Sequence, residues 1–339
     1  MAVDLAQTLN GAVDLVEVWR GEMLECLHQG HAVVCDSSGD IVQAWGDPTA
    51  LIFPRSSCKM LQALPLIESG AAAAYGLTDQ QLALACASHN GAQIHVDGVG
   101  DWLKTLGLAD GDFCCGPQEP RDSDVRDGLI RAGEAPCRVH NNCSGKHTGF
   151  LTLTQHLKAA PDYVALDHPV QKACKAAFEE TTQETSPTYG IDGCSAPNFA
   201  STLHGLARAM AFFASAHTRS DTRSTAAAQL TRAMGAYPEM VAGETRACTE
   251  LMRAMNGKVA VKTGAEGVFI AIIPEKQLGV ALKISDGATR ASECALAAIL
   301  VKLGVLDAKL PATRARMTPA IRNWDGLITG QIRPTAALT

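Results

Sequence analysis

The sequence predicts an α/β fold in which an antiparallel sheet is formed from both chain ends and a mostly helical region is inserted between them. Three observations lead to this prediction. Residues 13–46 read as strands, residues 60–255 read largely as helices, and strands return over residues 258–284. Strands at both ends of a chain with helices between them are typical of one sheet built from both termini. We expect one catalytic unit over residues 1–310 and a C-terminal tail over residues 311–339.

Alternation of apolar and polar residues predicts the strands at each end. The N-terminal strands are expected at residues 13–19, 23–28, 32–36 and 41–45, with turn residues between them. The later strands are expected at residues 258–263, 267–273 and 278–284, separated by short polar turns. The N-terminal group indicates an antiparallel meander, which requires only short connections.

Helical spacing of apolar residues, often after Ser, Thr, Asp or Pro, predicts the inserted helices. They are expected at residues 61–68, 78–87, 94–106, 124–132, 145–155, 169–182, 200–216 and 223–234. A further helix is expected after the last strand, at residues 288–303. The tail after residue 310 shows no clear period and is expected to be irregular.

Composition excludes several classes of partner. The net charge is -6 and no Lys/Arg run occurs, which argues against nucleic acid. No apolar run approaches the length of about 20 residues that spans a membrane. The N-terminus lacks a basic region followed by an apolar core, so no secretory signal is recognisable. The twelve cysteines are scattered and do not form a disulfide framework. We therefore expect a cytoplasmic protein with reduced thiols.

The first candidate catalytic residues are Ser56 and Lys59, which form a Ser-x-x-Lys motif where the predicted sheet leads into a helix. Residues three apart on a helix share a face, so the two side chains can meet. A serine hydroxyl becomes a good nucleophile when an adjacent base takes its proton, and a desolvated lysine can be that base. Alone, the motif is more typical of a solvated Ser and Lys on a helix than of a catalytic pair.

Two further motifs lie downstream of Ser56-x-x-Lys59, and their order along the chain is typical of a known class of enzymes. Ser88-His89-Asn90 lies downstream of Ser56, and Lys262-Thr263-Gly264 ends the first late strand. The order Ser-x-x-Lys, Ser-x-Asn, Lys-Thr-Gly is that of serine β-lactamases and penicillin-binding proteins. It places a nucleophile at a helix start, a second hydroxyl in a loop, and a cation with backbone donors on a strand edge. The three motifs together indicate nucleophilic catalysis by serine.

A metal site is a further possibility. Thiolate and imidazole are preferred zinc ligands, which nominates Cys143, His147 and Cys194 from the residues alone. Two buried cysteines without a metal explain the same residues, because free Cys is among the most buried residue types. The absence of Cys-x-x-Cys pairs favours this second interpretation.

Five segments carry a resemblance to a known family: Arg55-Ser56-x-x-Lys59, Cys86–Gly91, Asn142–His147, Gly190–Cys194 and Lys262–Gly267. Taken together, they resemble the class 3 L-asparaginases. This is the zinc-containing asparaginase II family, whose fold is similar to that of serine β-lactamases and glutaminases. The resemblance runs from about residue 13 to residue 305. It implies a homodimer with one zinc per subunit that hydrolyses L-asparagine to L-aspartate and ammonia.

The resemblance also implies roles for individual residues. It assigns two Ser-Lys tandems, Ser56 with Lys59 and Ser88 with Lys262. It assigns zinc to Cys143, Lys146 and Cys194, whereas metal chemistry alone nominates His147, which we keep as a nearby site residue. A lysine ligand must be neutral, and the cation itself would enforce that.

Other residues of the resembling segments are expected to bind substrate. Asp192 would engage the α-amino group of the substrate or orient a ligand. Arg55 would pair with a substrate carboxylate or hold the Ser56 loop. In the resembling fold, the backbone N–H groups of Ser56 and Ala265 would form the oxyanion hole.

Two other functions compete with an asparaginase. A β-lactamase or peptidoglycan peptidase shares the serine motifs, but works outside the cytoplasm and lacks the Cys143, Lys146 and Cys194 set. A non-catalytic, zinc-stabilised protein of the same fold would have no need of two Ser-Lys tandems. Ammonia release from asparagine distinguishes all three.

Overall fold

The computed structural model describes residues 9–339, and the strands predicted at both chain ends are present. Within these residues the strands are β1 Val13–Arg20, β2 Met23–Cys35, β3 Ile41–Trp45, β4 Leu51–Ile52, β5 Tyr189–Ile191, β6 Pro197–Phe199, β7 Ser201–Thr202, β8 Ala260–Thr263, β9 Val268–Ile273, β10 Leu278–Ile284, β11 Ala320–Arg322 and β12 Ile328–Pro334. The second and third predicted strands form one continuous strand, β2.

One antiparallel sheet unites both chain ends. Its strand order is β11-β12-β1-β2-β10-β9-β8, and β3 pairs with β2. The central pairing joins the N-terminal and C-terminal halves, with Val34 opposite Val280 and Ala32 opposite Leu282. The fold class predicted from the sequence is thereby confirmed. At the far end of this order lies β8, the strand that carries Lys262 and Thr263.

Helices fill the chain between β4 and β8 and follow β10. They are α1 Lys59–Glu68, α2 Ala71–Ala74, α3 Asp79–Ala85, α4 Gln93–Leu106, α5 Ser123–Ala132, α6 Ser144–His156, α7 Pro169–Thr182, α8 Leu203–Ser215, α9 Thr222–Ala236, α10 Pro238–Ala242, α11 Ala247–Ala254, α12 Thr289–Lys302 and α13 Pro311–Met317. Each long predicted helix is present, although the helix expected from residue 200 begins at Leu203, after β7. The helical insert is therefore present as expected.

Both faces of the central sheet are covered. Every residue of β9 is buried, which requires packing on each side of that strand. The helices that pack on β9 and β10 are α8 and α12. Gly279 in β10 permits the close approach of α8, because a Cβ there would lie 2.1 Å from the backbone nitrogen of Ala211.

The prediction of an irregular tail after residue 310 is wrong. Helix α13 packs on α11 and α12, and β12 pairs with β1 with Val18 opposite Ile332. The Trp45 indole donates a hydrogen bond to the Ala337 carbonyl at 2.7 Å. The physical reason is that one edge of β1 would otherwise have unpaired backbone N–H and C=O groups. The end of the chain supplies the hydrogen-bond partners for them.

The described residues bear on two other expectations. Each of the twelve cysteines is a free thiol. No helix within residues 9–339 has both the length and the apolar character needed to cross a membrane.

Candidate active site

Ser56 lies in a single 3₁₀ turn, Arg55–Cys58, that leads directly into α1. Arg55 has a left-handed backbone with φ 53°, which is uncommon for a residue with a side chain. Its N–H donates to the Asn198 side-chain oxygen at 3.3 Å, which helps to hold the turn. The turn leaves the Ser56 side chain partly exposed while Ser57 and Cys58 are buried.

The Arg55 guanidinium is bound within the protein. Its Nε and Nη2 donate to Asp192 Oδ1 at 3.0 and 2.8 Å, and Nη1 lies 3.8 Å from Glu266 Oε1. Of the two roles expected for Arg55, these contacts correspond to holding the Ser56 turn. Glu266 and Asn198 were not nominated from the sequence. Glu266 follows Ala265 directly, so its place in the Lys-Thr-Gly segment was the available signal.

Lys59 is buried as the first residue of α1, but it does not meet Ser56 as the spacing predicts. Its ammonium donates to the Ala87 carbonyl and to Cys143 Sγ, the latter at 3.1 Å. Among the described residues, none hydrogen-bonds with the Ser56 hydroxyl. Catalytic contacts are often formed only once substrate is bound, so this geometry is compatible with a base role.

The two residues of the second Ser-Lys tandem, Ser88 and Lys262, are in contact with each other. Lys262 Nζ donates to Ser88 Oγ at 2.8 Å and to the Thr263 carbonyl at 2.7 Å. Burial lowers the pKa of Lys262 to about 7, and the positive charge of Lys59 acts in the same direction. Near neutral pH a substantial fraction of Lys262 is therefore the free amine, which can accept a proton.

Close packing fixes β8 against the Ser56 turn. A Cβ at Gly264 would lie 2.7 Å from the Pro54 carbonyl oxygen and 3.2 Å from the Ser57 nitrogen. Only glycine allows the Lys-Thr-Gly strand to approach this closely. The next residue, Ala265, is exposed, and its N–H makes no hydrogen bond to the described residues. It is thus available as a donor beside the turn.

Two thiols and a lysine form a buried cluster behind the turn. Lys146 Nζ lies 3.0 Å from Cys194 Sγ, and Cys143 Sγ lies 3.0 Å from Asn142 Oδ1. The neighbouring Cys143 thiol, with the charge of Lys146, holds the pKa of Cys194 well below its usual range despite burial. Burial disfavours the Lys146 ammonium, but the two thiols outweigh it and raise the Lys146 pKa. The protonation states of Cys143, Lys146 and Cys194 therefore depend on one another.

His147 lies beside this cluster and has no exposed surface. Its Nδ1 is 2.9 Å from the Tyr163 hydroxyl, whereas its Nε2 is buried with no hydrogen-bond partner among the described residues. Burial lowers its pKa to about 4, so the ring is neutral near pH 7. Nothing in the sequence pointed to Tyr163, which lies sixteen residues from His147.

The cluster fits a metal only if lysine is a ligand. Within residues 9–339, no three His, Cys, Asp or Glu side chains are placed to hold an ion by themselves. Cys143, Lys146 and Cys194 are all buried and adjacent, and the His147 Nε2 without a partner marks a polar position nearby. Two thiols with an amine are a donor set suited to a soft divalent cation such as zinc.

A pocket of about 350 Å³ adjoins Arg55. It is lined by Leu51, Ile52, Phe53, Arg55, Glu266 and Lys283, among others, but not by Ser56. The pocket therefore adjoins the nucleophile turn and does not cover it.

Comparisons with solved structures give distant matches. A β-lactamase from Mycobacterium bovis matches at 13% identity over 80% of this chain and 94% of its own, with a TM-score of 0.42. A Bacillus glutaminase matches at 13% identity over 82% and 92%, with a TM-score of 0.35. An octameric penicillin-binding protein homologue from Pyrococcus abyssi matches at 12% identity over 83% and 74%, with a TM-score of 0.35.

A comparison with curated protein sequences gives no match. The family model described as L-asparaginase II, in contrast, matches residues 16–334. The matched range includes the Ser56 turn, the Ser88 segment, the thiol cluster and the late strands. It also includes β12, which the sequence resemblance did not reach. The chain therefore belongs to the L-asparaginase II family and is an enzyme of the amidohydrolase type.

Proposed function

We propose that the enzyme hydrolyses L-asparagine to L-aspartate and ammonia through an acyl-enzyme on Ser56. The observation that carries this proposal is the contact between Lys262 Nζ and Ser88 Oγ, 2.8 Å apart and beside the Ser56 turn. A buried lysine with a pKa of about 7 that touches a hydroxyl is suited to proton transfer at neutral pH. Family membership supports the substrate class.

The proposed acylation step uses the partly exposed Ser56 hydroxyl. Its oxygen attacks the side-chain amide carbon while its proton passes to Lys59, which begins α1 directly after the turn. The negative charge on the amide oxygen is stabilised by the backbone N–H groups of Ser56 and Ala265. Ala265 has a free N–H, and Gly264 holds it close to the turn.

In the next steps Ser88 and Lys262 carry protons. The carbon–nitrogen bond breaks as the leaving nitrogen takes a proton from the Lys262 ammonium through Ser88, and ammonia is released. Water then attacks the ester and gives up a proton to Lys262 through Ser88. Lys59 returns its proton to the Ser56 oxygen, which frees L-aspartate and restores Ser56. We assign the substrate's α-amino group to Asp192, whose Oδ2 is not used by Arg55. We assign its carboxylate to Arg55, whose Nη1 is not used in holding Asp192.

The test is ammonia release from asparagine, glutamine and a chromogenic β-lactam, followed by trapping with an electrophilic asparagine analogue. We expect turnover of asparagine and an adduct on Ser56, both abolished in Ser56→Ala. Ser57→Ala is the matched control, because the neighbouring Ser57 hydroxyl donates to the Pro54 carbonyl at 2.7 Å. Its adduct should remain on Ser56. Turnover of the β-lactam alone, or an adduct on Ser88 or Thr263, would overturn the assignment.

We further propose that Cys143, Lys146 and Cys194 bind one zinc ion. The support is their adjacency and burial, with a thiol–amine distance of 3.0 Å between Cys194 and Lys146. When bound, the ion would supply Lewis-acid polarisation or a fixed organising charge. Binding would require deprotonated thiols and a neutral lysine.

Purified protein is then expected to contain about one zinc per chain by elemental analysis, since thiolate ligands bind zinc tightly. Cys194→Ser should lose most of it. Cys294→Ser is the control, because that thiol, in α12, is equally buried but donates to the carbonyl of Met317 at the end of α13. Zinc retained in Cys194→Ser would contradict the ligand assignment.

We also propose a cytoplasmic homodimer. The family resemblance supports the dimer, and the scattered cysteines support a reducing compartment. Sedimentation equilibrium of the purified protein would measure its mass. A single species at the mass of one chain would contradict the dimer.

A further inference from the structure

His89 links the two parts of the active site and has no surface exposure. It follows Ser88 in the segment between α3 and α4. Its backbone N–H donates to the Asn142 carbonyl at 3.2 Å, and its Nε2 lies 3.0 Å from Ser144 Oγ. Asn142 and Ser144 are the residues on either side of Cys143. His89 therefore connects the Ser88 segment to both neighbours of Cys143, a thiol of the buried cluster.

The hydrogen bonds of the His89 ring define which of its nitrogens carries the proton. Nδ1 accepts a hydrogen bond from the Gly91 N–H at 3.2 Å, so the ring proton is on Nε2 and is donated to Ser144 Oγ. Both nitrogens are thus used, and the ring orientation is fixed. The ring also stacks on His95, with centroids 4.6 Å apart and an angle of 8° between planes. Burial lowers the pKa of His89 well below its usual range, so the neutral form persists.

The segment around Ser88 is held from the other side as well. The Ser88 and Asn90 N–H groups donate to the Val241 and Ala242 carbonyls at 2.9 and 3.0 Å. These two bonds attach the Ser88 segment to α10, and the hydrogen bond from His89 to Ser144 attaches it to α6. Ser88 itself is free to use its hydroxyl, which meets Lys262.

We propose that His89 is a positioning residue that sets the Ser88–Lys262 contact through its hydrogen bond to Ser144. The proposal rests on the proposed amide hydrolysis, and it assigns His89 no contact with substrate. A displacement of about 1 Å at a catalytic group can cost on the order of 100-fold in rate. Loss of the His89 ring should therefore act on kcat, since it leaves the groups that bind substrate in place.

The test compares His89→Leu, His89→Gln and a matched control, His168→Leu. His168 is also buried, its Nδ1 accepts a backbone N–H at 3.2 Å, and its Nε2 donates to a carbonyl at 2.9 Å, but it lies at the start of α7. We expect kcat to fall about 100-fold in His89→Leu, with KM within about threefold. His89→Gln can still donate to Ser144 and should recover at least tenfold of that loss. His168→Leu should change stability and leave kcat within about threefold.

A second measurement does not depend on turnover. NMR of protein labelled at the lysine Cε carbon reports the titration of Lys262. A hydrogen bond to Ser88 favours the ammonium, so its loss in His89→Leu should lower the Lys262 pKa below that of the wild type. His168→Leu should leave it unchanged. An unaltered Lys262 titration in folded His89→Leu, or equal losses of kcat in both leucine variants, would overturn the proposal. If the wild type released no ammonia, the proposed function would fail and the titration would still decide the role of His89.

Discussion

Two buried lysines lie in the site with different surroundings. Lys59 donates to a carbonyl and a thiol, and Lys262 to a hydroxyl and a carbonyl. Neither has a carboxylate partner among the hydrogen bonds of residues 9–339. Uncompensated burial disfavours the charged form, which explains why the Lys262 pKa falls from 10.5 to about 7.

The pH dependence of activity follows from Lys262. In deacylation the Lys262 free amine accepts the proton of the attacking water, so the rate of this step should rise about tenfold per pH unit below pH 7 and level off above it. His147 does not account for such a limb, because its pKa is about 4. A rate profile from pH 5 to 9 would show this. An activity that is flat between pH 5 and 7 would contradict the base role.

The free energy of unfolding should also depend on the protonation of Lys262, but over a different pH range. Between pH 7 and 10.5 the unfolded chain binds the Lys262 proton and the folded protein does not, so this lysine makes stability rise with pH there. Below pH 7 both states bind the proton, and the contribution is constant. A drop in activity between pH 7 and 5 is therefore not caused by Lys262-linked unfolding.

At the scale of elements, the close approach of β8 to the Ser56 turn is the contact that assembles the site. Gly264→Ala should displace β8 from the turn, because the added Cβ would meet the Pro54 carbonyl oxygen at 2.7 Å. We expect kcat to fall at least tenfold and stability to fall by about 1–3 kcal/mol, as in overpacked interiors. Steady-state kinetics and urea unfolding would measure both effects.

Gly100→Ala in α4 is the control, because a Cβ there has open space around it. This change should stabilise the helix by up to about 1 kcal/mol and leave kcat unaltered. Normal turnover in Gly264→Ala would show that the approach of β8 to the turn is not needed for catalysis.

Elements with a clear period were predictable from the sequence, whereas β12 was not. Strands such as β9 are continuous apolar runs between turns, and α7 begins at Pro169 after His168. In β12 the pattern is broken by Gly330, and its partner β1 is more than 300 residues away in sequence. Local periodicity contains no information about such a partner.

The same limit applies within the site. The spacing of Ser56 and Lys59 predicts a contact on one helix face, but Ser56 lies in a 3₁₀ turn before α1. The Lys59 ammonium is bound instead by Ala87 and Cys143, which come from two other segments. By contrast, the pairing of Ser88 with Lys262 was predicted from the resemblance, and its 2.8 Å contact is present.

At the scale of the whole molecule, the C-terminal residues complete the sheet. A variant ending at residue 317 would lose β11 and β12 and expose the edge of β1. Exposed strand edges pair with other chains, so we expect a lower unfolding temperature and aggregation. Thermal unfolding and light scattering would measure these effects.

Trp324→Ser is the control for this truncation. Trp324 lies in the same hairpin with its side chain fully exposed, so replacing it leaves the pairing of β12 intact. The variant should unfold at the wild-type temperature. A truncated protein that remained monomeric and equally stable would show that β12 does not protect β1.

The pairing of Val16 with Pro334 also constrains how the protein is made. On a ribosome that adds 5–20 residues per second, roughly 15–60 s separate the synthesis of β1 from that of its partner strand β12. During that time β1, β2 and β3 can pair only with one another, since β10 is also synthesised late. The newly made chain therefore presents the edges of β1 and β2 to the cell for most of its synthesis. A factor that shields strand edges would raise the yield of this enzyme more than one that speeds the folding of its helices.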